Sequence, residues 1–136
     1  MDKIILRDET GYEYYSVELN NSGWIYSRWA GEITEEKIKQ GGVTLVSFAS
    51  ESAFPYVIND NRELAGSWLS SVDWIEEELT PKLIEAGVKF IAHILSPDFI
   101  TKFSAVELEA RDLDFQFKLC SDLDEAEEWI KLKMNS

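Results

Sequence analysis

The side chains able to do chemistry gather in two short polar runs. Asn59, Asp60, Asn61 and Arg62 end the apolar run that begins at Phe54, and His93, Ser96 and Asp98 close and follow the apolar run Val88 to Leu95. An arginine in such a cluster can hold an anionic group in bidentate fashion, and helix starts near Ser67 and Asp98 offer backbone N–H groups to the same kind of ligand. The same residues also have structural uses: Asn and Asp build turns, Ser and Asp cap helices, and Arg62 can pair locally with Asp60 or Glu63. His93 is the only histidine. As a general base it would need an orienting acid, Asp60 or Asp98, and a nucleophile, but no serine or cysteine stands beside them. A lone histidine inside an apolar run reads more simply as a buried ring with one hydrogen bond. Cys120, the single cysteine, reads as core.

Several chemistries lack their residues. The carboxylate pairs Asp112/Asp114 and Asp122/Asp124 have the spacing of neither an EF-hand loop nor a facial triad. No Cys/His zinc pattern occurs. Gly41-Gly42 is not followed by the glycine or lysine that a dinucleotide fingerprint or phosphate-binding loop needs. No metal and no cofactor is expected.

The composition bounds the partners. The chain has 136 residues, of which 45% are hydrophobic and 12% aromatic, enough to bury a core as one domain, residues 1–136. Its formal net charge of −13 repels phosphate backbones and anionic membranes, so nucleic acid is excluded as a partner class. Glu107 to Glu128 carries nine acids against two bases, Arg111 and Lys118, which is either a solvated face or a docking face for a basic partner. One cysteine makes no internal disulfide and suits a reducing compartment. The N-terminus is charged too soon for a signal peptide, and no apolar run approaches the ~20 residues that span a bilayer. A cytoplasmic protein is expected.

The elements that position the two polar runs follow from hydropathy period. Lys3–Arg7, Tyr12–Leu19 and Trp24–Trp29 read as strands, joined at Asp8–Gly11 and at Asn20–Gly23, which makes an antiparallel meander. Thr34 caps a helix running to about Ser50, despite the cost of Gly41 and Gly42. Phe54–Asn59 is a buried strand, and Asn59–Arg62 a loop after it. Trp68, Val72, Ile75 and Leu79 mark one face of a helix. Thr80-Pro81 interrupts it, Thr80 capping a continuation to Ala86 with Gly87 as terminator. Val88–Leu95 is apolar on both faces, as a central parallel strand is. A helical region from Ser96-Pro97-Asp98 reads as two pieces, the second opened by Ser104. Phe115–Cys120 is the last strand, and Ser121 caps the last helix, with Leu123, Ala126 and Ile130 turned inward. This alternation is that of an α/β layer with parallel strands.

A meander, repeated helix–strand units and the closing run Asp124-Glu125-Ala126-Glu127-Glu128-Trp129-Ile130 resemble the STAS superfamily (sulfate transporter and anti-sigma factor antagonist, SpoIIAA-like). The segment from Trp74 through Gly87-Val88-Lys89 to Ala92-His93 is similar to small bacterial members without an assigned activity. The resemblance covers most of the chain from Trp24 onward. It implies a mixed sheet with antiparallel N-terminal strands, parallel C-terminal strands and helices packed on it, and a non-enzymatic regulatory role. Anti-sigma antagonists carry a phosphorylatable hydroxyl just after a central strand. The matching place here, Asn59–Arg62, has none, and Ser67 follows five residues later as the phosphorylation candidate.

The expected function is a regulatory or protein-interaction domain, binding a protein partner or a small ligand at a strand-end rim made by Asn59, Asp60, Asn61, Arg62, His93, Ser96 and Asp98. A homodimer through an exposed strand or aromatic face is a further expectation. Two other classes compete. A carrier of an apolar small molecule or lipid predicts a cavity of several hundred cubic ångströms, within the ~300–1,000 Å³ of ligand pockets. A hydrolase predicts His93 against a carboxylate in a cleft.

Overall fold

A computed structural model describes all 136 residues. Six strands form one mixed sheet in sequential order. The strands β1 (Ile4–Arg7), β2 (Glu13–Leu19) and β3 (Ile25–Glu32) pair antiparallel, and β4 (Tyr56–Ala65), β5 (Phe90–Ile94) and β6 (Gln116–Cys120) run parallel to β3 and to one another. The meander and the three co-directional strands expected from the hydropathy pattern are therefore present side by side. One face of the sheet is covered by α1 (Glu35–Ser52), by a bent rod containing α2 (Val72–Trp74) and α3 (Thr80–Glu85), and by α4 (Phe99–Glu109). The other face packs on α5 (Leu123–Met134) through Ala126 and Ile130, which meet Ile58, Ala92, Ile94 and Cys120.

Helix α1 forms where the glycines argued against it, and the reason is close approach. A Cβ at Gly41 would lie 2.3 Å from the Trp29 ring, and one at Gly42 would lie 3.1 Å from Leu79. The two glycines let an indole and the bent rod press directly on the helix backbone, which offsets their poor helix propensity. Thr34 caps α1, its Oγ1 accepting from the Lys37 N–H at 3.2 Å.

Four local expectations are corrected. Asn59–Arg62 is not a loop: it continues β4, which ends only at Ala65. Thr80 is not a cap. The rod runs unbroken from a 3₁₀ turn (Leu69–Ser71) through α2 and a π turn (Ile75–Leu79) into α3. Pro81 lacks an N–H and crowds the carbonyl one turn back; the wider π turn, in which the Thr80 N–H donates to the Ile75 carbonyl, accommodates it within a continuous helix. Ser104 opens no second helix. It is buried inside α4, which Asp98 caps by accepting from the Ile100 and Thr101 N–H groups. The cap of α5 is Asp122, accepting from the Glu125 N–H at 2.8 Å, while Glu125 reaches back to the Ser121 N–H at 2.7 Å. The side chain of Ser121 is not the cap.

Candidate functional site: a polar floor under an apolar cavity

Successive side chains of a strand point to opposite faces, so the polar run in β4 splits in two. Asp60 and Arg62 turn to the α5 side. Asp60 is 3% exposed. It accepts from the Arg62 backbone N–H at 3.0 Å and from the guanidinium at 2.7 Å, and the Tyr26 hydroxyl donates to it as well. Burial alone would raise this carboxyl; the Arg62 and Tyr26 bonds outweigh it and hold the pKa below the usual aspartate value. The Tyr26 phenol is pushed up to about 12, mainly by burial and then by Asp60. Arg62 is thus committed to its own neighbour rather than open to an outside anion, the local pairing that the sequence also allowed.

Asn59 and Asn61 turn to the opposite side, where they flank the His93 ring on β5. The Asn59 amide stands 3.2 Å from His93 Nδ1, and the Asn61 amide stands 3.2 Å from Nε2. The Trp29 indole N–H donates to Asn59 Oδ1 at 2.9 Å. The ring also packs against Phe117 and Trp68, with centroids 5.5 and 6.0 Å away. Burial pushes the His93 pKa down to about 4, with Asp60 pulling weakly the other way, so the ring is neutral above that. Its partners are amides. The two acids that a hydrolase would recruit are elsewhere, Asp60 on the far face and Asp98 at the α4 cap.

A β-bulge sets this arrangement. Arg28 pairs with Asp60 but Ala30 pairs with Glu63, so β4 inserts one extra residue opposite Trp29. Beyond the bulge the phase of β4 is reversed, and Leu64 faces the same interior as Val57, Asn59 and Asn61.

Over this floor lies a cavity of about 90 Å³. Leu45 of α1, Ile75, Leu79 and Leu83 of the bent rod, Leu108 of α4 and Phe115 before β6 line it, and no charged side chain does. The volume is below the ~300 Å³ at which pockets begin to hold drug-sized ligands. Three buried polar groups on its wall lack a hydrogen-bond partner: one end of the Asn61 amide, the Trp68 indole N–H and the Thr80 hydroxyl. Trp68 and Thr80 were read from the sequence as a helix-face residue and a cap. The signal that would have marked them is their place in the stripe that meets the sheet, together with the proline after Thr80.

The remaining candidates form a third group at the end of β4. The Ser96 hydroxyl donates to the Leu64 carbonyl at 2.7 Å, the Thr101 hydroxyl donates to the Gly66 carbonyl at 2.8 Å, and the Trp68 N–H donates to Ser104 Oγ at 3.0 Å. These bonds fasten the start of α4 to the chain leaving β4. The expected single rim therefore does not exist: Asn59, Asn61 and His93 meet in the interior, Asp60 and Arg62 lie across the sheet from them, and Ser96 and Asp98 are structural at α4. Ser67 is exposed, and its Oγ accepts from the Leu69 N–H at 3.2 Å. With β4 ending at Ala65, Ser67 rather than Asn59–Arg62 is the position that follows the central strand. Above it, the outer side of α4 exposes Phe99 (79%), Ile100 (58%), Phe103 (52%) and Val106 (46%).

No family model matches the chain, and no curated protein matches it. Solved structures do. The anti-sigma factor antagonist SpoIIAA in its unphosphorylated form superposes with a TM-score of 0.59 at 15% identity, over 90% of this chain and 97% of that one. An uncharacterised protein of the DUF3478 family with a SpoIIAA-like fold, from Shewanella loihica PV-4, superposes with a TM-score of 0.57 at 20% identity, over 85% and 91%. The chain has a SpoIIAA-like fold, as its terminal strand–helix unit implied. No helix is long and apolar enough to cross a membrane.

Proposed function

We propose that this chain is a non-enzymatic, cytoplasmic regulatory domain that acts by docking a protein partner on the outer face of α4. The observation that carries the reading is the run Phe99, Ile100, Phe103 and Val106, four apolar side chains at helical spacing left in solvent. Such a stripe stabilises nothing within the monomer, and aromatic side chains are the usual anchors of protein contacts. Its surroundings choose the partner. The chain that follows carries the exposed acids Glu109, Asp112 and Asp114, so a partner with an apolar groove and a basic border is complementary. The SpoIIAA-like fold supports the class of function. Ser67 precedes the segment held by Ser104 of α4, so a phosphate there would change the charge beside the docking face.

The test is affinity purification, from the native host, of the wild-type chain and of a Phe99→Ser/Phe103→Ser variant. Both should show the same circular dichroism, because neither side chain is in the core. The wild type should retain a basic protein at fixed stoichiometry, released by salt, and the variant should lose it. Identical retention by both baits overturns the reading. A concentration-dependent doubling of mass, abolished by the same substitutions, would assign the face to a second copy of this chain instead.

A further inference from the structure

The sheet has two edges, and they differ. Strand β1 is a guarded edge. It is four residues long, its ladder slips between Leu6 and Arg7, and Lys3 and Arg7 at its ends pair with Glu18 and Glu13. Strand β6 keeps a regular register against β5, holds no proline, and has no strand on its other side. Its one charged residue, Lys118, pairs with Glu125 of α5 at 3.8 Å.

The backbone groups of β6 divide by residue. The Gln116 N–H donates to the Lys89 carbonyl at 3.0 Å, and the Leu95 N–H donates to the Cys120 carbonyl at 2.9 Å. In a parallel ladder alternate residues turn both groups to the same neighbour, so Gln116, Lys118 and Cys120 serve β5. Phe117 and Leu119 turn their N–H and C=O groups outward, where no other element bonds them.

Apolar side chains border this edge on both faces of the sheet. Phe117 and Leu119 are partly exposed on one. On the other, Glu125, Trp129 and Leu132 share the flank of α5 turned to β6, a placement fixed by the Lys118–Glu125 pair and by Trp129 meeting Phe90 with ring centroids 6.2 Å apart. Leu132 is 65% exposed. An open hollow lined by Ile84, Phe90, Leu113 and Phe115 carries the apolar border to Gln116. The ends of the edge are acidic: Asp112 and Asp114 precede β6, Asp122 and Asp124 follow it, and all four are exposed.

We propose that the free edge of β6 takes an extended segment of a partner protein as a further strand, apolar in its middle and basic at its ends. Phe117 and Leu119 supply the backbone bonds, the apolar borders cover the segment's side chains, and the acidic ends of β6 meet its basic ones. A second copy of β6 is a poor occupant. In the two-fold register that uses both residues of each edge, Lys118 faces Lys118 and Asp114 faces Asp122, so like charges oppose. The site is independent of the docking face proposed for α4.

Hydrogen exchange of the ¹⁵N-labelled full chain tests this, with a blocked hexapeptide as probe, arginine at each end and alternating threonine and valine between. In the free chain the Phe117 and Leu119 amides should exchange fast and the Lys118 amide slowly. The peptide should slow exchange at Phe117 and Leu119 at least about tenfold. Of two N-methylated versions, one for each alternate set of residues, the version blocked on the side facing β6 should lose binding and the other keep it. A version with glutamate at both ends should not bind, and Asp114→Asn/Asp124→Asn, both exposed, should weaken the arginine peptide at least about threefold. Phe117 and Leu119 amides already protected in the free chain, no slowing by the peptide, or equal binding of the two N-methylated versions overturns the proposal. So does equal binding of the arginine and glutamate peptides. Protection that rises with protein concentration alone gives the edge to a second copy and overturns it too.

Discussion

Acidification offers a quantitative test of the polar floor. His93 has an ordinary pKa of 6.5, and burial lowers it to about 4. Because the native state resists protonation, the unfolded chain binds more protons between these values, and stability rises with pH through that window and is lost as pH falls. The loss is RT ln[(1 + 10^(6.5−pH))/(1 + 10^(pKa−pH))], with the native pKa near 4. It is negligible at about pH 7.5, about 2 kcal/mol at pH 5 and about 3 kcal/mol at pH 4. Urea unfolding followed by tryptophan fluorescence, at steps from pH 7.5 to 5, measures it. Asp60, whose native pKa is depressed, adds its own loss at lower pH, since its contribution is present above the unfolded aspartate pKa and disappears as pH falls below it. A His93→Gln variant keeps a polar group between the asparagines and removes only the titration. Subtracting its pH profile from that of the wild type should leave a difference of about 2 kcal/mol accumulating between about pH 7 and 5. Parallel profiles would refute a buried, neutral His93.

Two further outcomes follow from packing and capping. Gly41→Ala gains about 1 kcal/mol of helix propensity but drives a methyl into the Trp29 ring, an overpacking cost of about 1–3 kcal/mol, so the melting temperature should fall although the same change on an exposed helix face raises it. Asp122→Ala should cost about 1 kcal/mol in chemical denaturation and Ser121→Ala close to nothing, which separates the observed α5 cap from the one the sequence suggested.

The layered fold was legible because it rests on period. The apolar runs at Val88–Leu95 and Phe115–Cys120 and the helical stripe of Ala126 and Ile130 need no distant partner to be read. The β4 run was not legible, because Asn, Asp and Arg are turn and surface formers by local chemistry. What holds them in a central strand is distant in sequence: Trp29 and His93 for Asn59, and Tyr26 for Asp60. Period-two alternation would have put Asn59 and Asn61 in phase with Val57 and Asp60 in phase with Ile58, but a bulge opposite Trp29 ends that phase before Leu64 confirms it. Thr80 was misread for a related reason. Pro81 reads as a break in any helix of uniform pitch, and only a local widening keeps the chain helical across it.

The extra residue in β4 also determines where the family of such chains can change length. The Asn20–Gly23 hairpin can absorb an insertion or deletion at its tip, since the strands on either side keep their facing. Loss of a single residue at the bulge would make the pairing with β3 regular and keep Leu64 in phase with Val57, whereas a further loss between Val57 and Leu64 would exchange inside for outside over the far half of β4 and lift Leu64 out of the interior. Related sequences should therefore vary in length at the hairpin and, within β4, differ by no more than the bulge residue.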